Sequence, residues 1–311
     1  MGNYLTHTEI TELHLESLPL FEEAWKRGRR NERYKQGSHW TREELDAIRE
    51  QARHPYSISL MNHKINNILS TQRQSRTSVM VSAPEEYGTH AAIATEILRN
   101  KERTGDLPRL ESDIFDSGLS VCYGVAEVLP EAPGGEVKAT VRSRDYLDVF
   151  WDSSARDYHL NDALFIAVGE TFQRESVERK YGKVSSYGHP LFTHSFYRDE
   201  NGSSLRGGKE TVRLINHYTK SRVKEYLLLF NDHRGLAALP NGVYAGKHAS
   251  RHEAEKALRE LNAMYLERDI EVPVSEIIPV EGERITKYVL TGGEIVDVIE
   301  LPLATMPVAV Y

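Results

Sequence analysis

The sequence has almost no cysteine, no long apolar run and no excess of positive charge. Cys122 is the one cysteine in 311 residues, which excludes a disulfide framework within the chain. Nothing around it marks a low-pKa thiol, so it is expected to be a small buried apolar side chain. No stretch of about 18 apolar residues occurs, so no membrane-spanning helix is expected. Met1 to Leu20 contains charges and lacks the apolar core of a secretory leader, so synthesis in the cytoplasm is expected. The net charge is −7, from 39 Lys and Arg against 46 Asp and Glu. Proteins that grip nucleic acid tightly are usually basic overall or carry a strong basic face. The balance here suits a surface that DNA passes without sticking.

Catalytic signatures are also missing. Gly202, Gly207-Gly208 and Gly292-Gly293 lack the spacing of a phosphate-cradling loop ahead of a helix and read as hairpin turns. No Gly-x-Ser-x-Gly elbow is present. His248 and His252 are four residues apart, but Ala249 stands where a metalloprotease helix needs glutamate, and Ser250 reads as a cap that leaves His248 outside the helix. Asp145, Asp148, Asp152, Asp157 and Asp162 form the one carboxylate cluster. Such a cluster can hold Mg²⁺ or Ca²⁺. Its spacing does not fit an EF-hand, and the simpler expectation is a solvated loop built from Asx turns. No cofactor and no metal is expected, and the chain reads as a non-enzyme.

What is present is a change of period. In the first third, Ile10, Leu13, Phe21, Ala24 and Trp25 follow helical spacing, with Pro19 expected to interrupt and Ser17 to cap a second helix. Thr41 and Glu44 form a capping box ahead of Leu45, Ile48 and Ala52. Further helices are expected through Ile65–Leu69, Ala91–Leu98 and Leu110–Val121, with a short strand at Val79–Ala83. Beyond Gly124 the period becomes two. Strands are expected at Val125–Leu129 and Val137–Val141 around a Pro133-Gly134-Gly135 turn, then at Phe165–Val168, Val212–Tyr218 and Val223–Phe230. Tyr288–Leu290 and Ile295–Leu301 flank Gly292-Gly293 as a hairpin. Helices are expected at Glu175–Tyr181 and from Ser250 to Leu266. The fold class is α+β with mostly antiparallel pairing. A helical region over 1–110 precedes a β-rich region over 111–311 with inserted helices.

Two further features bear on function. Lys26, Arg27, Arg29, Arg30, Arg33 and Lys35 form a basic run among Trp25, Tyr34 and Trp40. It reads either as a contact for an anionic partner or as a solvated helix face beside core aromatics. Arg73, Arg76, Arg99, Lys101 and Arg103 form a weaker patch. Leu301–Tyr311 is apolar and strand-like with no polar tail. It is expected to belong to a chain that continues, or to pair with a strand lying elsewhere.

The order of several motifs resembles the portal proteins of short-tailed, double-stranded DNA phages. The first is Arg33-Tyr34-x-x-Gly37-x-x-Trp40, then His54-Pro55, Asn62 with Ile65, Gln72-Arg73-Gln74-x-Arg76, and Val79-Met80-Val81 before Pro84. His54 stands where that family usually has arginine. The second is Val149-Phe150-Trp151-Asp152-Ser153-Ser154-Ala155-Arg156 followed by Asn161-Asp162-Ala163, with Ser153 in place of the usual proline. The third is Tyr288 to Tyr311, ending in Pro307-Val308-x-Val310-Tyr311. The resemblance implies a wing domain over 111–311, with the stem, clip and crown absent. It implies a structural subunit of a ring, usually of twelve copies, at one capsid vertex of the virion. DNA would be packaged through that ring and ejected from it.

The partners so implied are other copies of the chain, the terminase large subunit, the major capsid and scaffolding proteins, a head-tail adaptor, and double-stranded DNA passing without sequence preference; no membrane is implied. On this basis Trp25, Arg29, Arg30, Arg33, Tyr34 and Trp40 are expected to make an inter-subunit or capsid contact. The competing readings are another phage or bacterial α+β adaptor module, and a metal-dependent nucleic-acid enzyme using the Asp145–Asp162 cluster.

Overall fold

The computed structural model describes residues 4–75, 79–84, 87–131, 138–157, 159–184, 211–231, 243–267, 275–301, 303 and 305–310. It is mixed α and β, with helices leading and antiparallel strands following, as the two periods predict. The chain forms two compact units. Unit 1 is Met1–Thr219 with Lys287–Ile299 and Thr305–Tyr311; unit 2 is Lys220–Thr286 with Glu300–Ala304.

Unit 1 is organised around α1 (His7–Lys35). Thr6 opens it with a capping box: its hydroxyl accepts from the Glu9 N–H at 3.3 Å, and the Glu9 carboxylate accepts from the Thr6 N–H at 2.7 Å. One face buries Ile10, His14, Ser17, Leu18, Phe21, Trp25 and Gly28, the three-and-four spacing of a core-facing helix. Pro19 does not interrupt it. Pro19 lies on the exposed face beside Leu15 and Leu20, so the carbonyl that loses its partner at Leu15 meets water instead. Ser17 is therefore no cap. It is buried, and its hydroxyl accepts from the Ser153 N–H at 3.3 Å.

Four more helices follow: α2 (Arg42–Glu50), α3 (Leu60–Gln74), α4 (Gly88–Thr104) and α5 (Leu107–Val121). Thr41 caps α2 with the expected box. Val79–Ala83 forms no strand; Val81 N–H instead donates to the Thr95 hydroxyl at 3.1 Å. Cys122 is not buried. It ends α5 in the left-handed region at φ 80° with its thiol exposed.

β1 (Val125–Glu131) and β2 (Lys138–Arg144) pair antiparallel from Val125↔Arg144 to Glu131↔Lys138; the Pro133-Gly134-Gly135 turn lies outside the described residues. β9 (Val308–Val310) takes the other edge of β1, with Val125 opposite Val310. The apolar final segment thus finds a partner strand within this chain. A 3₁₀ turn (Tyr146–Asp148) leads to β3 (Val149–Trp151). β4 (Phe165–Gln173) pairs with β3 on one side and with the first half of β5 (Thr211–Asn231) on the other, Phe165 facing Thr219. Between β4 and β5 lies α6 (Arg174–Tyr181). The strands expected at Val212–Tyr218 and Val223–Phe230 are one strand. The polar stretch 219–222 that separated them in sequence is satisfied within the sheet, Thr219 donating to the Leu164 carbonyl at 3.0 Å. α1 and the sheet share a core of Trp25, Phe21, Phe150, Phe165, Ile215 and Leu290 among others.

Unit 2 contains the second half of β5, β6 (Val243–His248), α7 (Arg251–Leu266) and most of β7 (Ser275–Leu290). β6 pairs with β5 antiparallel, Tyr226 facing His248. Ser250 caps α7, accepting from the Glu253 N–H at 3.2 Å, which leaves His248 on the strand. β8 (Ile295–Leu301) follows β7 in the sheet order β3-β4-β5-β7-β8. The Gly292-Gly293 turn is closed by Thr291 N–H donating to the Glu294 carbonyl at 2.9 Å.

Candidate functional site

The end of α1 carries the basic–aromatic run, and helical geometry divides it. Trp25 faces inward, fully buried, with its indole N–H donating to the Tyr146 carbonyl at 3.0 Å. It offers no surface to a neighbour within this fold. Lys26, Arg27 and Arg30 are exposed, and Arg29 and Arg33 are half-buried. Lys26 is bracketed by Glu22 and Glu23, which raise its pKa above the ordinary lysine value, Glu22 more than Glu23. Lys35 turns inward, its ammonium 2.7 Å from Asp116 and 3.2 Å from the Ser120 hydroxyl, beside a polar recess of about 270 Å³ between α1 and α5.

After α1 the chain reverses at Gly37, whose φ of 81° favours glycine. Tyr34 and Trp40 flank this turn and are both exposed, at 37% and 38%. A strap missed by the sequence reading lies against the same turn. Ser57 donates to the Gly37 carbonyl at 3.0 Å and Ser59 to the Lys35 carbonyl at 3.1 Å. These two bonds hold Tyr56, Ile58 and Leu60 outward, exposed by 61% or more. Five large apolar side chains and a cluster of arginines therefore share the end of one helix. Aromatics with arginine, rather than lysine and glutamate, are the composition of interface centres. The sequence signal was the alternation Tyr56, Ile58, Leu60 running up to the first residue of α3. Of the second basic patch, Arg99 pairs with Glu96 at 3.1 Å, and Arg76 lies outside the described residues.

The carboxylate cluster is spent on structural bonds, four of its five members within their own loop and Asp148 to β5. Asp145 accepts from the Leu147 N–H at 2.9 Å, and Asp148 pairs with Arg213 at 2.6 Å. Asp152, buried, accepts from the Ser154 N–H at 2.9 Å, the Ser154 hydroxyl at 2.8 Å and the Leu164 N–H at 3.2 Å. Asp157 accepts from the His159 N–H at 3.1 Å, and Asp162 from the Arg156 N–H at 2.7 Å. Those backbone donors hold both carboxyls below the ordinary aspartate value. Their folded pKa values are depressed, so the loop they tie is secure above about pH 3.9 and loosens as pH falls through the lower folded values.

A second polar cluster, invisible in sequence, lies inside unit 1. Glu127 of β1 is fully buried in the middle of an apolar strand. Its carboxylate accepts from the Arg144 guanidinium at 2.7 Å and from the Tyr218 hydroxyl at 2.7 Å. Arg144 also reaches Glu170 at 3.1 Å, and the Lys287 ammonium lies 5.6 Å from the centre of the Tyr218 ring. Burial, then the Glu127 charge, pushes the Tyr218 hydroxyl far above the phenol range; burial pushes Lys287 down. Arg142 also reaches Glu170 at 3.6 Å, so guanidinium groups meet both carboxylates and the cluster joins the two sheets as a paired network.

The sequence family described as phage P22-like portal protein matches residues 16–311. The chain belongs to that family. It is a phage portal protein of the podovirus-like type, and its family is a structural one associated with the capsid vertex of the virion. No curated protein matches it. The portal match covers the basic end of α1, the aspartate loop and β9 alike. No described helix is long and apolar enough to cross a membrane.

Proposed function

We propose that this portal protein supplies the wing part of a subunit that closes, usually as twelve copies, into a ring at one capsid vertex. Double-stranded DNA is packaged through the ring by the terminase large subunit and leaves through it at infection. The ring also meets the major capsid, scaffolding and head-tail adaptor proteins, and its subunits are made in the bacterial host cytoplasm. The observation that carries the reading is the family match across 296 of 311 residues, from 16 to 311. The division proposed within it is a helical region over 1–110 and a wing domain over 111–311.

Ring closure needs two different patches on each subunit, one meeting the other on the next copy. The end of α1 is proposed as one of them, with Arg29, Arg30, Arg33, Tyr34 and Trp40 carried over from the sequence and Tyr56, Ile58 and Leu60 added. The support is its exposed aromatic surface beside guanidinium groups. Reversing Arg29, Arg30 and Arg33 to glutamate in the complete gene product is expected to weaken each subunit contact about tenfold or more, or ~1.4 kcal/mol. Negative-stain images would then show free subunits in place of rings. Rings that form undiminished would remove this surface from the interface.

A further inference from the structure

His14 of α1 and His217 of β5 are both fully buried, and His14 Nε2 lies 2.9 Å from His217 Nδ1. One ring donates and the other accepts, so the bond requires at least one uncharged imidazole. The surroundings are aromatic. His14 meets Phe150 edge-on at 4.8 Å and Phe165 at 5.5 Å, and His217 stacks on Phe165 at 5.1 Å.

The titratable groups on the neighbouring elements are placed as follows. On α1, Glu12 and Glu16 are exposed. β3 and β4 present Phe150 and Phe165. On β5, Arg213, four residues from His217, is paired with Asp148, and Tyr218 bonds to Glu127. β7 brings the Tyr288 ring to 6.0 Å from His217, its hydroxyl accepting from the Leu5 N–H at 3.1 Å, and Lys287 lies over Tyr218.

We propose that the His14–His217 hydrogen bond is a proton-operated latch that holds the first half of α1 on the sheet at neutral pH and releases it in mild acid. Among the described residues, the bonds from His14 to His217 and from Ser153 to Ser17 tie that half, and Leu5 to Tyr288 ties the residues just ahead of it. Only histidine among these side chains titrates near neutrality, at about pH 6.5 when unperturbed. Released rings bind two protons in water. The latched pair binds at most one while the bond persists, and a charge among phenyl rings is disfavoured. The released state therefore holds more protons, so the latch is favoured as pH rises and lost as pH falls below about 6.5.

The test is backbone hydrogen exchange of the intact chain at pH 7.5 and 5.5, corrected for intrinsic exchange. Amides of 10–18 in α1 are expected to open about tenfold more often at the lower pH, while those of 165–173 in β4 change far less. Either single substitution leaves one buried imidazole to titrate, so the excess pH dependence is expected to vanish only when both rings are replaced, in His14→Phe/His217→Gln, whatever the pair does to the starting level. Should that pair fail to fold, His14→Gln/His217→Gln carries the comparison. Equal acceleration in α1 and β4, no acceleration in α1, or unchanged pH dependence in a folded variant would each overturn the latch.

Discussion

Gly28 shows how one missing side chain positions the long helix. It sits on the buried face of α1 against Tyr146, and a Cβ there would stand 2.6 Å from the ring and 3.1 Å from Val121. Tyr146 cannot easily swing away, because its hydroxyl donates to the Glu32 carboxylate at 3.0 Å and its carbonyl receives the Trp25 indole. Alanine is the better helix former by about 1 kcal/mol. Overpacking a rigid contact costs about 1–3 kcal/mol and opposes that gain. Gly28→Ala is therefore expected to destabilise the chain, read as a lower urea midpoint with an unchanged slope. A raised midpoint would show that the Tyr146 ring yields. The same contact places Trp25 inward and so turns the arginines of the next turn outward.

At the scale of elements, the two capping boxes are alike in chemistry and different in consequence. Thr6 opens a helix whose face is core; Thr41 opens α2, which buries no residue. Losing either cap costs about 0.5–2 kcal/mol of helix. Thr6→Ala is expected to lower global stability by about 1 kcal/mol. Thr41→Ala is expected to speed hydrogen exchange within Arg42–Glu50 and leave the unfolding midpoint in place. A shared global loss would mean that α2 is packed more tightly than its exposure indicates. Caps of this kind were legible in sequence because they are local, as were the β1–β2 pairing and the β7–β8 hairpin, whose Gly292-Gly293 marks the turn.

Several elements were misread because tertiary neighbours decide them, α1, β5 and β7 among them. Pro19 is tolerated because its side of α1 is wet. β5 continues through Thr219 because the Leu164 carbonyl receives its hydroxyl. The first half of β7 alternates half-buried with exposed residues too weakly to stand out. The candidate site was half legible. The charge run named the helix end, but the strap at 56–60 depends on two serine bonds to distant carbonyls.

For the molecule as a whole, unit 1 is closed by the last part of the chain. Tyr288 and Leu290 enter the main core beside Trp25 and Phe150, Ile295 packs against it, and Val289 joins the smaller cluster around Val177 and Val212. β9 then completes the β2-β1-β9 sheet, where Val128 N–H donates to the Pro307 carbonyl at 2.8 Å. Contacts that join Leu5 to Tyr288 and Val125 to Val310 span most of the sequence, so the helical start cannot complete its packing before the end is present. Each of these buried side chains contributes roughly 1.5–3 kcal/mol, and a domain has only about 5–15 kcal/mol in total. Deleting 287–311 is therefore expected to abolish the cooperative thermal transition and the near-ultraviolet signal of Trp25, even though every helix of the first third remains encoded. A truncated chain that still melts in one sharp step, with Trp25 shielded from a soluble quencher, would show that the helices hold their core without the returning strands.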